Sequence, residues 1–405
     1  MGAALDVRRI RDRAAFDALE TDWLALAARS DVASPFLTPG WQSAWLDSYG
    51  RGHELFVLAA WRGRELAGLW PLARIRRGPW RVLEPVGAGR SDWLDVLTTA
   101  ADRDAVFSAF AAHLLAARSE WDLIELRDVL ANSPSLAALD AVAGTTPLRV
   151  RREVRTAAPQ LSLAGTWEQF LATKRAKFRT NIKYYRRQAE KSHASFSLVK
   201  HEWNDAERVV DQLAEVELRS WKAREGNLKI STDVGREFYQ RFMAYFARRG
   251  ELDLWRADGA GKLLAFLVNI RYGGKIYHYN TCFDEAASGI SPGMLMHSEA
   301  IQDAFARGLC EYDFLSGDEP YKDRWCSGRR DILHVALFRG AARSRLAFFQ
   351  LVDARWRLRR SKWLRDTRQK LLALARRFAR GGSPAAADVA RKEGKDGKSG
   401  GEGGE

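Results

Sequence analysis

The chain has 405 residues, 46% of them hydrophobic, with 15 Trp and 19 Phe, and a formal net charge of +14. That length and apolar content suit two or three packed domains and exclude a disordered chain. The charge is uneven: from Arg339 onward there are 18 Lys and Arg against 7 Asp and Glu, so the first 338 residues carry only +3 and the body is not a uniformly basic nucleic-acid binder.

Cys282, Cys310 and Cys326 are odd in number and never spaced C-x-x-C, which argues against a disulfide framework or zinc knuckle and suits a reducing cytosol. The opening "MGAALDVRRIRDRAAF" lacks the apolar core of a signal peptide. No apolar run approaches the ~18 residues of a membrane span. A cytoplasmic protein is expected.

In chain order, "FLTPGWQSAWLDSYG" reads as a helix capped at Thr38 with Pro39 in its first turn. Strands are expected at "LFVLAAWR", "ELAGLWPLARI", "WRVLEPV" and "DWLDVL", then a helix over 102–118 and a strand "WDLIEL". A long basic helical stretch, "TWEQFLATKRAKFRTNIKYYRRQAEK", opens the second half. It precedes a strand "FSLVK" and helices near 204–222 and 233–249. "LDLWRAD", "LLAFLVNIRY" and "KIYHYNTCF" follow as a three-stranded meander, its second turn at Gly273-Gly274 of the short type that needs positive φ. A helix over 294–307 stops at Gly308, and "EYDFL" and "DILHVALF" are the last strands. Residues 342–380 are helical in composition, with Leu, Phe and Trp among arginines; 381–405 are Gly-rich and charged, the composition of a disordered tail.

Between meander and helix lies "GISPG", which matches the G-x-S-x-G elbow of α/β-hydrolases, with Asp313 and His334 downstream in hydrolase order. The match fails on chemistry. The elbow's oxyanion hole uses the N–H of the residue after the serine, and here that residue is Pro292, which has none. One missing oxyanion donor is worth about 10²–10³ in rate. Ser291 reads instead as a helix N-cap followed by Pro292. The first-turn N–H groups of Gly293, Met294 and Leu295 are then left to hold an anion, or to bind nothing.

A meander, an anion-ready loop, a helix and a further strand is the core order of the GNAT acyltransferase fold. More specifically, residues 36–340 resemble the CelD-like acetyltransferases linked to cellulose and exopolysaccharide synthesis, relatives of the Fem aminoacyl transferases. The residues carrying the resemblance are "FLTPGWQSAW", "KFRTNIKYYRRQAEK", "HYNTCFDEAASGISPGMLM" and "GLCEYDFLSGDEPYKDRW". It implies an α+β fold of tandem GNAT-like domains with mixed, splayed sheets. Residues 1–158 would form an N-terminal unit and 159–341 a C-terminal unit with the donor site, followed by the basic helical tail. It also implies acyl transfer from acyl-CoA, most simply acetyl-CoA, to an amine or hydroxyl of an envelope or exopolysaccharide precursor. Fem-like use of aminoacyl-tRNA on a peptidoglycan precursor is the rival, and a catalytically silent scaffold of a polysaccharide synthase is another. One departure is that the loop lacks the Q/R-x-x-G-x-G/A pattern of coenzyme A users.

Within that resemblance, Ser291, Gly293, Met294 and Leu295 are the donor-binding candidates, and Arg179 and Lys183 on the basic helix are phosphate clamps or a solvated face. Lys322 and Tyr321, in "YKDRW", match the Fem aromatic-Lys pattern and are the catalytic candidates with Asp313, whose alternative is a cap or salt-bridge partner. Lys322 would hold a phosphate or stabilise the oxyanion, and Tyr321 would protonate the leaving group or simply pack. His278 on its strand reads as a core residue, and Cys282 as structural. The seven histidines show no metal-binding spacing, so no metal is expected. The tail is expected to meet an anionic inner-membrane surface or a synthase partner, and nucleic acid only in the tRNA-dependent case.

Overall fold

A computed structural model of the chain describes residues 4–192, 195–201, 206–317 and 319–360. In chain order its strands are β1 (Asp6–Ile10), β2 (Glu54–Leu55), β3 (Val57–Arg62), β4 (Glu65–Trp70), β5 (Leu72–Arg77), β6 (Trp80–Pro85), β7 (Leu97–Thr98) and β8 (Leu123–Leu130). They continue with β9 (Leu148–Ser162), β10 (Ser197–Lys200), β11 (Leu252–Gly259), β12 (Lys262–Tyr272), β13 (Lys275–Phe283), β14 (Glu311–Asp313) and β15 (Gly328–Arg339). A four-stranded sheet runs β1-β3-β4-β7, and an eleven-stranded one runs β10-β11-β12-β13-β14-β9-β15-β8-β6-β5-β2.

The meander β11-β12-β13 forms as its sequence predicts. Gly273 and Gly274 both have positive φ and close the hairpin between Tyr272 and Lys275. A register shift between Val268 and Asn269 pairs them with Asn280 and His278, so Tyr279 is the extra residue of a β-bulge. The helix Pro292–Ala306 starts with proline in its first turn, as expected, and buries Met294, Leu295, Met296 and Ile301.

Other features were not legible. "DWLDVL" is not a strand beyond Leu97; residues 86–96 form an ordered loop instead. The 15-residue strand β9 escapes notice because its first half, "RVRREVR", alternates too many arginines to read as a half-buried strand. It pairs with β15 from Leu148 to Gln160 and with β14 at its end. The boundary drawn at 158/159 therefore falls inside a continuous strand, and β15, from the second half, inserts between β9 and β8. The basic helical stretch is two helices, Trp167–Thr173 and Ala176–Ser192, broken at Lys174-Arg175.

The halves also share a core. Trp41, on the helix Pro39–Asp47, is fully buried against Phe36, Phe238, Phe242 and Tyr279 at ring separations of 4.8 to 5.0 Å. Gly40 on the same helix lies so close to the Tyr245 ring that a Cβ there would come within 2.0 Å of it.

The chain divides into two units, Met1–Arg345 and Leu346–Glu405. The described part of the second is helical, with a π-helical turn at Phe349–Asp353 and a helix Ala354–Arg360, where Arg357 pairs with Asp353 at 2.7 Å. The expected tail elements beyond residue 360 lie outside the described residues. Among the described residues no helix is long and apolar enough to cross a membrane.

Candidate active site

The short strand β14 makes the site. It pairs with β13 only from Tyr277↔Asp313 back to Lys275↔Glu311, and with β9 over the same three residues. Past Asp313 the chain turns away through Phe314 and Leu315, the latter at φ +57°. The sheet therefore splays, and a cavity of about 720 Å³ opens at the gap. His278 to Phe283 of β13 form one wall and Ser291 to Met294 another, while Gly89 to Asp92, Arg127, Asp128 and Arg155 from the first half face them. The lining holds seven Lys and Arg against three carboxylates, a balance that attracts anions.

Backbone strain concentrates here. Of six non-glycine residues with positive φ among the described residues, Asp128, Ser291 and Leu315 line the cavity, and Trp93 adjoins the lining residue Asp92. Each such residue costs of order 1–3 kcal/mol and persists where the surroundings over-determine it, commonly at functional sites.

Asp92 is the group that sequence reading missed, because its segment read as a strand. Its loop is tied on every side. The Trp41 indole N–H donates to Ser91 Oγ (2.8 Å), the Tyr279 hydroxyl to the Arg90 carbonyl (3.1 Å), the Trp93 N–H to the Asp128 carbonyl (3.2 Å), and the Trp93 indole to Asp313 (3.0 Å). Burial, and next the charge of Asp128, push the Asp92 carboxyl up to about 6, against a hydrogen bond from Ser316. A carboxylate of that pKa suits a general base near neutral pH. The signal available in the sequence was "GAGRSDW", glycine-rich and polar, which is loop chemistry.

Three lysines line the cavity. Lys222 donates to Asn280 Oδ1 and to the Thr281 carbonyl, both at 2.7 Å. Lys322 donates to the Ser316 carbonyl (2.9 Å) and pairs with Glu319 (2.8 Å), so it also organises the loop after β14. Lys229 is lowered to about 8 by burial and then by the charge of Lys222.

Below them lies a polar chain with defined directions. Asp253 accepts from Asn269 Nδ2 (3.2 Å), which leaves Asn269 Oδ1 to accept from the Tyr312 hydroxyl (3.3 Å) and from His278 Nδ1–H (3.1 Å). His278 Nε2 is then an acceptor, and the Tyr321 hydroxyl donates to it at 3.2 Å. Burial, followed by the charge of His297, holds His278 well below its ordinary pKa, and burial raises Tyr321, so both are neutral. Burial raises the Cys282 thiol as well.

The structure brings Lys322, Tyr321, Ser291, Gly293 and Met294 together on this cavity. It does not bring Asp313, Leu295, Arg179 or Lys183 there. Asp313 faces inward: Oδ1 accepts from the Leu315 N–H (2.8 Å), and Oδ2 from the Trp93 indole and from Arg330 (2.6 Å). It orients two strained residues of the walls and is corrected from base to positioning group. Leu295 is fully buried in the core. Arg179 is exposed and caps the preceding helix through the Lys174 carbonyl (2.5 Å), and Lys183 is an exposed residue of the helix Ala176–Ser192.

The cap chemistry also differs from expectation. Ser291 sits at φ +48° and its side chain makes no capping bond. Its carbonyl instead accepts from the N–H groups of Met294 (3.0 Å) and Leu295 (3.3 Å), which are therefore not free for an anion. The Gly293 N–H is the amide left, and a Cβ built at Gly293 meets nothing within 4 Å. Among the described residues no group of His, Cys, Asp or Glu is arranged to hold a metal.

Comparison with known proteins agrees with this geometry. Residues 176–323 match the family model described as an acetyltransferase (GNAT) domain. No curated protein matches the chain in sequence. Among solved structures the chain is similar to FemX, with a TM-score of 0.60 at 11% identity, covering 85% of this chain and 99% of that one. It is also similar to the C-terminal domain of a proposed lysylphosphatidylglycerol synthetase from Agrobacterium fabrum, with a TM-score of 0.53 at 12% identity, covering 84% and 95%. A conserved protein of unknown function from Bacteroides thetaiotaomicron gives a TM-score of 0.51 at 12% identity, covering 82% and 100%. Such identities speak to the fold alone, and the α+β tandem arrangement expected from the sequence is the one observed. Residues 176–323, which contain the splayed strands β13 and β14, are thus the part of the chain that is similar to an acetyltransferase (GNAT) domain in both sequence and fold.

Proposed function

We propose that the cavity at the β13/β14 splay takes the acyl end of an acyl-CoA, most simply acetyl-CoA, and passes the acyl group to an amine or hydroxyl of an anionic envelope or exopolysaccharide precursor. The observation that carries this reading is a cationic cavity opening where the sheet splays, with the Gly293 amide on its rim and Asp92 opposite.

Amide formation needs a deprotonated amine, a polarised carbonyl and a proton for the leaving thiolate. Asp92 accepts the amine proton. The Gly293 N–H and the Lys322 ammonium hold donor phosphate or developing negative charge. Tyr321, released from His278, supplies the proton to sulfur. Ser291 and Met294 shape the donor wall. Arg127 and Arg155 stand on the acceptor side, which favours a precursor carrying phosphate or carboxylate.

The Fem-like alternative uses aminoacyl-tRNA, and the observation favouring it is the exposed basic face of the helix Ala176–Ser192, including Lys177, Arg179 and Lys183. Thermal-shift screening separates the two. Stabilisation by acetyl-CoA but not by aminoacyl-tRNA is expected. The opposite pattern moves the assignment to the tRNA-dependent reading, and no response to either leaves the protein a scaffold.

A further inference from the structure

Three lysine ammonium groups share the cavity, and two are tied. Lys222 has both the Asn280 side chain and the Thr281 carbonyl, and Lys322 has the Ser316 carbonyl and Glu319. No hydrogen bond or ion pair holds the Lys229 Nζ among the described residues, and it lies 6.0 Å from the centroid of the Tyr279 ring.

The backbone beneath this side chain is nevertheless fixed. Glu217, fully buried, accepts from the N–H groups of Lys229 (3.0 Å), Ile230 (2.8 Å) and Ser231 (2.9 Å) and from the Ser231 hydroxyl (2.9 Å). A carboxylate with four donors clamps this turn, so Lys229 is presented to the cavity from a rigid base.

We infer that Lys229 is a self-acylation site: its amine takes the acyl group from a donor bound in the same cavity and becomes an N-acyl-lysine. This rests on the acyl-CoA reading of the site. The Nζ lone pair attacks the thioester carbonyl, the C–N bond forms and the C–S bond breaks. The amine proton passes by way of the Asp92 carboxylate to the departing thiolate, leaving coenzyme A as the free thiol. No oxidant or further reactant enters.

A free amine suits that step for two reasons. An amine with no partner loses no hydrogen bond on attack, whereas Lys222 and Lys322 would each give up two. The unprotonated form is also accessible near neutral pH, because burial and then Lys222 lower its pKa to about 8 while Asp92 and Glu319 oppose and Arg90 adds to the lowering. The product is an amide and does not turn over. It removes one positive charge from the lining, so the modified protein holds an anionic acceptor less firmly. Self-acylation is thus a brake on the enzyme when acceptor is scarce and donor abundant.

The test uses the full-length protein with acetyl-CoA alone, and peptide mass spectrometry to follow each lysine in time. Lys229 is expected to be acetylated at least about tenfold faster than the exposed Lys177 and Lys183, at a rate that climbs as pH passes about 8. Coenzyme A added in excess is expected to suppress labelling at Lys229 and not at Lys183. The Lys229→Arg variant loses this fast phase alone. Labelling of Lys229 at or below the rate of the surface lysines overturns the inference. If coenzyme A raises the melting temperature yet Lys229 stays unmodified, the inference falls and the donor reading stands. If neither response occurs, both fall.

Discussion

At the scale of the residue, Asp92 carries the proposed base chemistry. Its carboxyl is raised from an ordinary value near 3.8 to about 6. A raised acid is costly to ionise in the fold, so its ionisation opposes stability above the unfolded pKa and most steeply between pH 4 and 6. Asp92→Asn is therefore expected to melt higher than the parent at pH 7, by up to about 3 kcal/mol, and to match it near pH 4. A lower melting point at pH 7 contradicts the assignment. For catalysis the sign is the reverse: in an initial-rate pH profile, transfer is expected to rise as pH passes about 6, where the carboxylate becomes a base. Stability given up at one residue in exchange for chemistry is the usual signature of a working site.

The same scale shows what a sequence can say about a site. Lys322 and Tyr321 were legible through a local motif, and both line the cavity. Asp313 was legible as an acid beside the site, but its direction was not. That direction depends on Arg330, 17 residues later, and on Trp93, 220 residues earlier. Asp92 was invisible because what makes it basic is burial and then the charges of Asp128 and Asp313, each from a different part of the chain.

At the scale of the element, hairpins and caps were readable because they are local. The glycines at 273 and 274 dictate their turn wherever the strands go. The length of β14 was not readable: five residues looked strand-like, and three are. The two lost residues create the splay, since Phe314 donates to the Pro159 carbonyl and Leu315 turns with positive φ. Nor was β9 readable, because an inner strand of a wide sheet, paired on one side with β14 and on the other with β15, draws its stability from pairing more than from an apolar face.

Packing of helix against helix gives the element-scale prediction. In the helix Pro39–Asp47, alanine at position 40 would gain roughly 1 kcal/mol in helix propensity. Its Cβ would lie 2.0 Å from a Tyr245 ring carbon, however, and overpacking of this kind costs about 1–3 kcal/mol or more. Gly40→Ala is expected to lower the urea midpoint, and a midpoint equal to or above the parent's contradicts the close approach.

At the scale of the whole molecule, the two halves are not separable units. They share β9, β15 and the core around Trp41, and the cavity takes residues from both. The basic tail is a separate matter of charge, +11 from Arg339 to Glu405. With about 1 kcal/mol per Lys or Arg near an anionic surface, the full chain is expected to float with phosphatidylglycerol vesicles. The chain ending at Arg345 is expected not to, and phosphatidylcholine vesicles are expected to recruit neither. Equal flotation of the two chains contradicts a membrane role for the tail.

The central claim is that an acyl-CoA donor enters the cavity at the start of the helix Pro292–Ala306. Gly293→Leu addresses it directly, because the added Cβ meets no neighbour and the fold has no reason to change, while the side chain fills the space beside the amide. Isothermal titration calorimetry with coenzyme A is the measurement. Binding by the parent, and binding weakened at least about tenfold in Gly293→Leu at an unchanged melting temperature, is the predicted result. Equal affinity in the two proteins would contradict it.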